Sequence, residues 1–289
     1  MKVNGDRIMG CIVGGAIGDA LGGRREHGGL SISDDTQLTL ATCEAIEGFG
    51  RISPEALAAN FLRWFRAHAI TGVGSSTLKA LRDLSAGSHW ALCGARGEMA
   101  AGNGAAMRIA PLAFVFDALD PEHRVTIRDV CRITHHNDEA YVGALAALVA
   151  IQFPGWPPAP SFFADLAGAL PDSCVRDRLV AFADAPGDSS LREIIERFGS
   201  SGYVAETVPL AIFVATRLTP QAFEAMLIEL AELASDADTI GAIAGQIAGA
   251  HLGFSRLPRH ARELAPVQAV IPAAKAFAAK LADGKAATG

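Results

Sequence analysis

The amino-acid sequence predicts an all-α fold. Serine or threonine followed by proline opens apolar runs at helical spacing, alanine is abundant, and neither alternating β-branched runs nor hairpin signals appear. Ser53-Pro54 is a cap with proline at the first helical position, and Leu57, Phe61, Leu62 and Phe65 follow on one face. Thr219-Pro220 repeats the device before Phe223, Leu227, Leu230 and Leu233. In chain order, further helices are expected near 7–21, 34–48, 76–85, 104–118, 122–134, 138–152, 161–169, 173–183, 190–198, 203–217, 239–254 and 267–282. The proline-rich piece Phe153–Pro160 separates helices that look equally core-forming. It is expected to be a loop within one domain covering residues 1–289.

Composition narrows the function classes. Half of the residues are hydrophobic and 19% are charged, so a large core is available. The formal net charge is −6, and no basic stripe with interleaved aromatics is present, so direct nucleic-acid binding is not expected. Cys11, Cys43, Cys93, Cys131 and Cys174 are far apart and odd in number, without a C-x-x-C pair. This argues against a disulfide or zinc framework and for a reducing, cytoplasmic setting. The start, MKVNGDR, lacks a secretory pattern. Mean hydropathy is +0.26, but the uncharged segment 239–255 holds four glycines, Gln246 and His251. The apolar stretch after Ala140 is broken by Pro154, Pro157, Pro158 and Pro160. Neither is a run of about 20 apolar residues, so no membrane span is expected.

Two expected helices carry glycine every fourth residue: Gly10, Gly14 and Gly18 in one, and Gly241, Gly245, Gly249 and Gly253 in the other. Each glycine costs a helix about 1 kcal/mol relative to alanine. A smooth stripe compensates by letting another backbone approach closely. Both stripes adjoin acidic motifs, so their packing would bring those motifs together.

The first acidic motif is Ser33-Asp34-Asp35-Thr36 and the second is Ser235-Asp236-Ala237-Asp238-Thr239, both at helix starts. Taken singly, each is explained by a capping serine and by the preference of a helix N-terminus for negative charge. Taken together, four carboxylates converging on one place repel unless cations lie between them. The donors are hard oxygens with no thiolate and no His-x-x-x-His pair, which favours Mg²⁺ or Mn²⁺ over Zn²⁺. Gly102-Asn103-Gly104-Ala105-Ala106-Met107-Arg108 reads either as a plain turn or as a helix start whose exposed N–H groups suit a pyrophosphate. Thr134-His135-His136-Asn137-Asp138-Glu139-Ala140 places adjacent histidines before a helix, as ligands, cap or substrate clamp.

In this order, the set resembles the ADP-ribosylglycohydrolase family, which includes dinitrogenase reductase-activating glycohydrolases and ADP-ribosylarginine hydrolases. The matching pieces are Gly14–Gly22, Ser33–Thr36, Gly102–Arg108 with Pro111, Thr134-His135 and Asp236–Gly245. The resemblance implies an orthogonal helical bundle around a binuclear Mg²⁺ or Mn²⁺ centre. Ser33, Asp34, Asp35, Asp236, Asp238 and Thr239 would be the metal ligands. Gly102, Asn103 and Gly104 would cradle a diphosphate, and His135 would contact ribose or phosphate. Glu26, or failing that Asp35, would assist proton transfer. The implied substrate is an ADP-ribosylated protein or a small ADP-ribose conjugate, and the implied reaction is hydrolysis of its glycosidic bond. Glu98, the only acid between Arg96 and the turn, favours an arginine-linked over a serine-linked acceptor, because a carboxylate pairs with guanidinium. The sequence departs from the family in two places. Gly23-Arg24-Arg25 stands where a proline often precedes the glutamate, and Asn137-Asp138-Glu139 stands where a proline often follows the histidine. The other readings are a non-catalytic ADP-ribose binder of the same fold and a helical scaffold with no ligand.

Overall fold

Caps written into the sequence start many of the helices in the computed structural model, which describes residues 4–25, 28–49, 52–185 and 189–284. Asn4 accepts from the N–H groups of Asp6 and Arg7 to open α1 (Gly5–Gly22). The next helix, α2 (Asp34–Phe49), carries Asp34 and Asp35 in its first turn. Ser53 accepts from Ala56 N–H at 3.2 Å, with Pro54 at the first position of α3 (Pro54–Arg66). After α4 (Ser75–Ser85), Asp120 with Pro121 opens α5 (Pro121–Arg132) and Asn137 opens α6 (Asp138–Gln152). Then come α7 (Phe162–Gly168), α8 (Cys174–Ala183), capped by Ser173, and α9 (Leu191–Phe198), opened by a reciprocal Ser190–Glu193 capping box. The chain continues through α10 (Val204–Arg217), α11 (Phe223–Leu233), α12 (Ala237–Leu252), α13 (Arg259–Arg262), α14 (Ala265–Gln268) and α15 (Ile271–Ala282).

Several elements differ from expectation. The segment 104–118 is not an α-helix but two 3₁₀ turns, Asn103–Ala105 and Ala110–Phe114. Pro111 lacks an N–H and crowds the backbone before it, which blocks a continuous helix. Thr219-Pro220 forms a turn in which Thr219 Oγ1 accepts from Ala222 N–H, and α11 begins only at Phe223. The helix expected over 267–282 breaks between α14 and α15, with Pro272 in the first turn of α15. Two short strands also appear where none is expected: β1 (Ala95–Arg96) and β2 (His135–His136) pair in parallel, Ala95 opposite His135.

The two glycine-striped helices lie against each other. A Cβ at Gly14 would overlap the carbonyl oxygen of Gly245, one at Gly18 that of Gly241, and one at Gly22 that of Ala237. From the other side, a Cβ at Gly241 would stand 2.5 Å from the carbonyl oxygen of Gly18. The α1–α12 pair is therefore in backbone contact along its length, and its far end delivers the start of α12 to the end of α1. Around this pair a single apolar cluster runs from Ile8 to Leu281. Among the described residues, no helix is long and apolar enough to cross a membrane.

This contact generates a stability prediction. Gly18→Ala forces two backbones apart and should lower stability by about 1–3 kcal/mol, seen as a reduced denaturation midpoint. Gly48→Ala, on the exposed side of α2 with nothing within 4 Å of the added carbon, should be neutral or gain about 0.5–1 kcal/mol from helix propensity.

Candidate metal centre at two helix starts

The start of α2 is held by two caps. Ser33 Oγ accepts from Asp35 N–H at 3.2 Å and donates to Asp35 Oδ2 at 2.9 Å. Asp19, reaching over from α1, accepts from the N–H groups of Ser33 and Thr36 and from the Thr36 hydroxyl at 2.5 Å. Asp19 is fully buried, a site residue that no local sequence motif singles out. Its signal is that it is the sole charged residue between Arg7 and Arg24 in an otherwise apolar, glycine-rich helix.

At the start of α12 the capping explanation fails. Asp236 occupies the cap position without a side-chain cap bond; instead its Oδ2 accepts from Asn103 Nδ2. Ser235 is turned away to Ser200, donating to its carbonyl at 2.7 Å. Asp238 Oδ1 accepts from Thr239 N–H at 2.8 Å, and the Thr239 hydroxyl donates across to Asp35 Oδ2 at 3.3 Å. That last bond spans the two motifs directly. A loop completes the surround, where Gly74 N–H bonds Asp34.

These carboxylates perturb one another. Burial, then Asp19 and Asp238, raise the Asp34 carboxyl from 3.8 to about 8. Asp35 is driven well above its ordinary value by burial and then by Asp19, Asp238, Asp34 and Asp236. Burial lifts Asp19 to about 6 against the pull of its Thr36 and Ser33 hydrogen bonds. The strongest influences on Asp34 and Asp35 include no Lys or Arg. Asp35 Oδ1 is buried and has no hydrogen-bond partner. Mutual repulsion of carboxylates, together with a bare carboxylate oxygen, is the donor chemistry that a hard divalent cation satisfies. As the side chains stand, no group of three or more His, Cys, Asp or Glu among the described residues is closed to cation-holding geometry.

The remaining sequence candidates divide. The Gly102–Gly104 turn bridges to Tyr203: Asn103 N–H donates to Gly202 O at 3.2 Å, so that amide is occupied within the chain. Asn103 Nδ2 also reaches Thr207 Oγ1 at 2.9 Å. His135 lies buried beneath the turn; a Cβ on Gly102 would stand 3.3 Å from its Nε2, and one on Gly104 2.8 Å from its Cε1. Burial, reinforced by Arg108, lowers the imidazole from 6.5 to about 3, so His135 is neutral. Glu98 is exposed, at the start of the 3₁₀ turn Glu98–Ala100. Glu26 lies outside the described residues.

Comparison with known proteins places the chain in a family. The ADP-ribosylglycohydrolase family model matches residues 2–287. An ADP-ribosylarginine hydrolase Tri1 of Pseudomonas putida (strain GB-1) is 29% identical over 282 residues, covering 88% of this chain and 72% of that protein. ADP-ribosylhydrolase ARH3 of Danio rerio is 26% identical over 319 residues, covering 87% and 84%. A chain of a solved ADP-ribosylglycohydrolase-related protein complex superposes with a TM-score of 0.73 at 25% identity, over 98% of this chain and 99% of that one. The chain belongs to the ADP-ribosylglycohydrolase family, whose members are metal-dependent hydrolases of glycosidic bonds to ADP-ribose.

The charge cluster sets a pH dependence. Asp34 keeps its proton up to about 8 in the folded chain but only to 3.8 when exposed. Between those values the folded state binds more protons than the unfolded state, so the stability of metal-free protein falls as pH rises through that window. Melting curves in chelator should show that decline, and saturating Mg²⁺ should remove it. A flat or rising profile in chelator would mean that the carboxylates do not repel.

Proposed function

We propose that this chain releases ADP-ribose from modified protein side chains, arginine-linked in preference to serine-linked, at a centre of two Mg²⁺ or Mn²⁺ ions. Ser33, Asp34, Asp35, Asp236, Asp238 and Thr239 would hold the ions. The observation that carries this is the meeting of the two aspartate motifs, linked by the Thr239–Asp35 hydrogen bond, around a carboxylate oxygen with no partner. Bound cations would supply Lewis-acid chemistry, orienting ribose hydroxyls and lowering the pKa of water.

The chain's own groups would do the rest. The His135 ring packs against Gly102 and Gly104, and diphosphate oxygens bound at this turn would take the neutral imidazole as a hydrogen-bond partner. Hydrolysis breaks the bond between the anomeric carbon and the acceptor atom, adds hydroxyl to that carbon and returns a proton to the leaving group. Glu26 is assigned the proton transfer, with Asp35 next in line because it is a buried carboxylate with a high proton affinity. Exposed Glu98 would pair with the acceptor guanidinium, and the named activity of the Pseudomonas putida relative supports that preference.

Release of ADP-ribose from arginine-linked and serine-linked peptides, with Mg²⁺, with Mn²⁺ and with chelator, tests the assignment. Cation-dependent release, faster from arginine, is expected. Release only from small conjugates, or from serine alone, would refute the acceptor; binding without release would refute hydrolysis. Asp34→Ala should abolish turnover while leaving the fold intact. Glu26→Gln should lower kcat by about 10²-fold with little change in ligand affinity. Glu98→Ala should slow only the arginine substrate.

A further inference from the structure

Arg108 is fully buried, yet among the described residues no carboxylate pairs with it. Its guanidinium lies 4.7 Å from the Phe61 ring centroid. One nitrogen, Nη2, donates to Val130 O at 3.3 Å and to Thr134 Oγ1 at 2.9 Å, while Nε and Nη1 have no partner. An uncompensated cation in an apolar interior is expensive, and a methionine would fill comparable space without that cost. The charge therefore needs a role beyond packing.

Its contacts define one. Thr134 Oγ1 lies 2.9 Å from Arg108 and 2.8 Å from His135 Nδ1. Guanidinium only donates, so the hydroxyl accepts from Arg108 and has one hydrogen to place. If that hydrogen goes to Nδ1, the hydroxyl and Nδ1 are both paired and the imidazole proton resides on Nε2. If Nδ1 carried the proton instead, the hydroxyl hydrogen would have no acceptor in this network. Nε2 is the ring nitrogen packed against the turn, 3.3 Å from where a Cβ on Gly102 or on Gly104 would stand.

We propose that Arg108 is a positioning residue: through the Thr134 hydroxyl it fixes His135 as an Nε2–H donor facing the Gly102–Gly104 turn, where a diphosphate oxygen would accept. This deepens the assignment of that turn to the diphosphate and rests on it. The fixed positive charge also acts on the imidazole directly, keeping it neutral and adding attraction for an anion above it. Arg108 touches neither substrate nor the acidic centre in this scheme.

The test uses the full chain, with Arg108→Met, Arg108→Lys and Thr134→Val as variants. Nitrogen-15 spectra of the histidines at neutral pH read the His135 tautomer, and calorimetry with ADP-ribose in Mg²⁺ reads affinity. Wild type should show His135 in the Nε2–H form. Arg108→Met and Thr134→Val should shift it to a tautomer mixture and weaken ADP-ribose binding by about tenfold or more, with Mg²⁺ affinity unchanged. Arg108→Lys, which keeps a charged donor, should recover part of both. A folded Arg108→Met or Thr134→Val protein that keeps the pure Nε2–H form and binds ADP-ribose within about twofold of wild type would overturn the proposal. If Arg108→Met does not fold, Thr134→Val decides alone, since it removes the relay and keeps the charge. If wild type does not bind ADP-ribose at all, the diphosphate assignment fails, and the tautomer spectra still decide whether Arg108 orients His135.

Discussion

The architecture depends on one steric fact: two helix backbones touch because neither carries side chains along the line of contact. Glycine at every fourth position of α1 and α12 brings carbonyl oxygens of one helix against the α-carbons of the other. Each glycine weakens its own helix, so the pair is stable only as a pair, embedded in the surrounding apolar cluster. The same contact sets the register. It places the last turn of α1, with Asp19 in it, beside the first turn of α12, with Asp236 and Asp238. The start of α2 then hangs from Asp19 by three donors: two backbone N–H groups and a hydroxyl.

That arrangement stores electrostatic cost where stability alone would not place it. A capped helix start needs one good acceptor, and α2 has both Ser33 and Asp19. Asp34 and Asp35 are surplus to capping, and Asp236 does not cap at all. Burial and mutual repulsion hold Asp34 and Asp35 protonated where an exposed carboxylate would be ionised. Such a cluster makes physical sense as a receptor for positive charge brought from outside. The neutral His135 lies under the Gly102–Gly104 turn, with the buried Arg108 behind it on the Thr134 hydroxyl.

Most helices and both acidic motifs were legible in the sequence because their signals are local: caps, apolar period, glycine period. The i, i+4 glycines even implied which two helices meet. What escaped was contact across the chain. Asp19 looked like one more letter in an apolar helix, since nothing local says that its carboxylate caps a helix whose first residue is fifteen positions later. Pro111 was visible, yet the alanine-rich stretch around it outweighed the break it imposes, and 3₁₀ turns resulted. The β1–β2 ladder is two residues long on each side, too short for alternation to register. Gly102 and Gly104 were read as freeing backbone N–H groups. In the fold their missing side chains also make room for the His135 ring, a packing role that only tertiary structure reveals.

Asn103 joins what would otherwise be two separate places. Its backbone belongs to the glycine turn, while its side-chain amide grips Asp236 at the start of α12 and Thr207 on α10. In the proposed scheme, a cation that draws on Asp236 would bear on the turn through this amide, and a ligand at the turn would bear on Asp236. Thermodynamic reciprocity then applies: whatever factor a cation contributes to nucleotide affinity, the nucleotide returns to the cation. Under the proposed function the amide would link the cation site to the diphosphate site, so that occupancy of one would bear on the other.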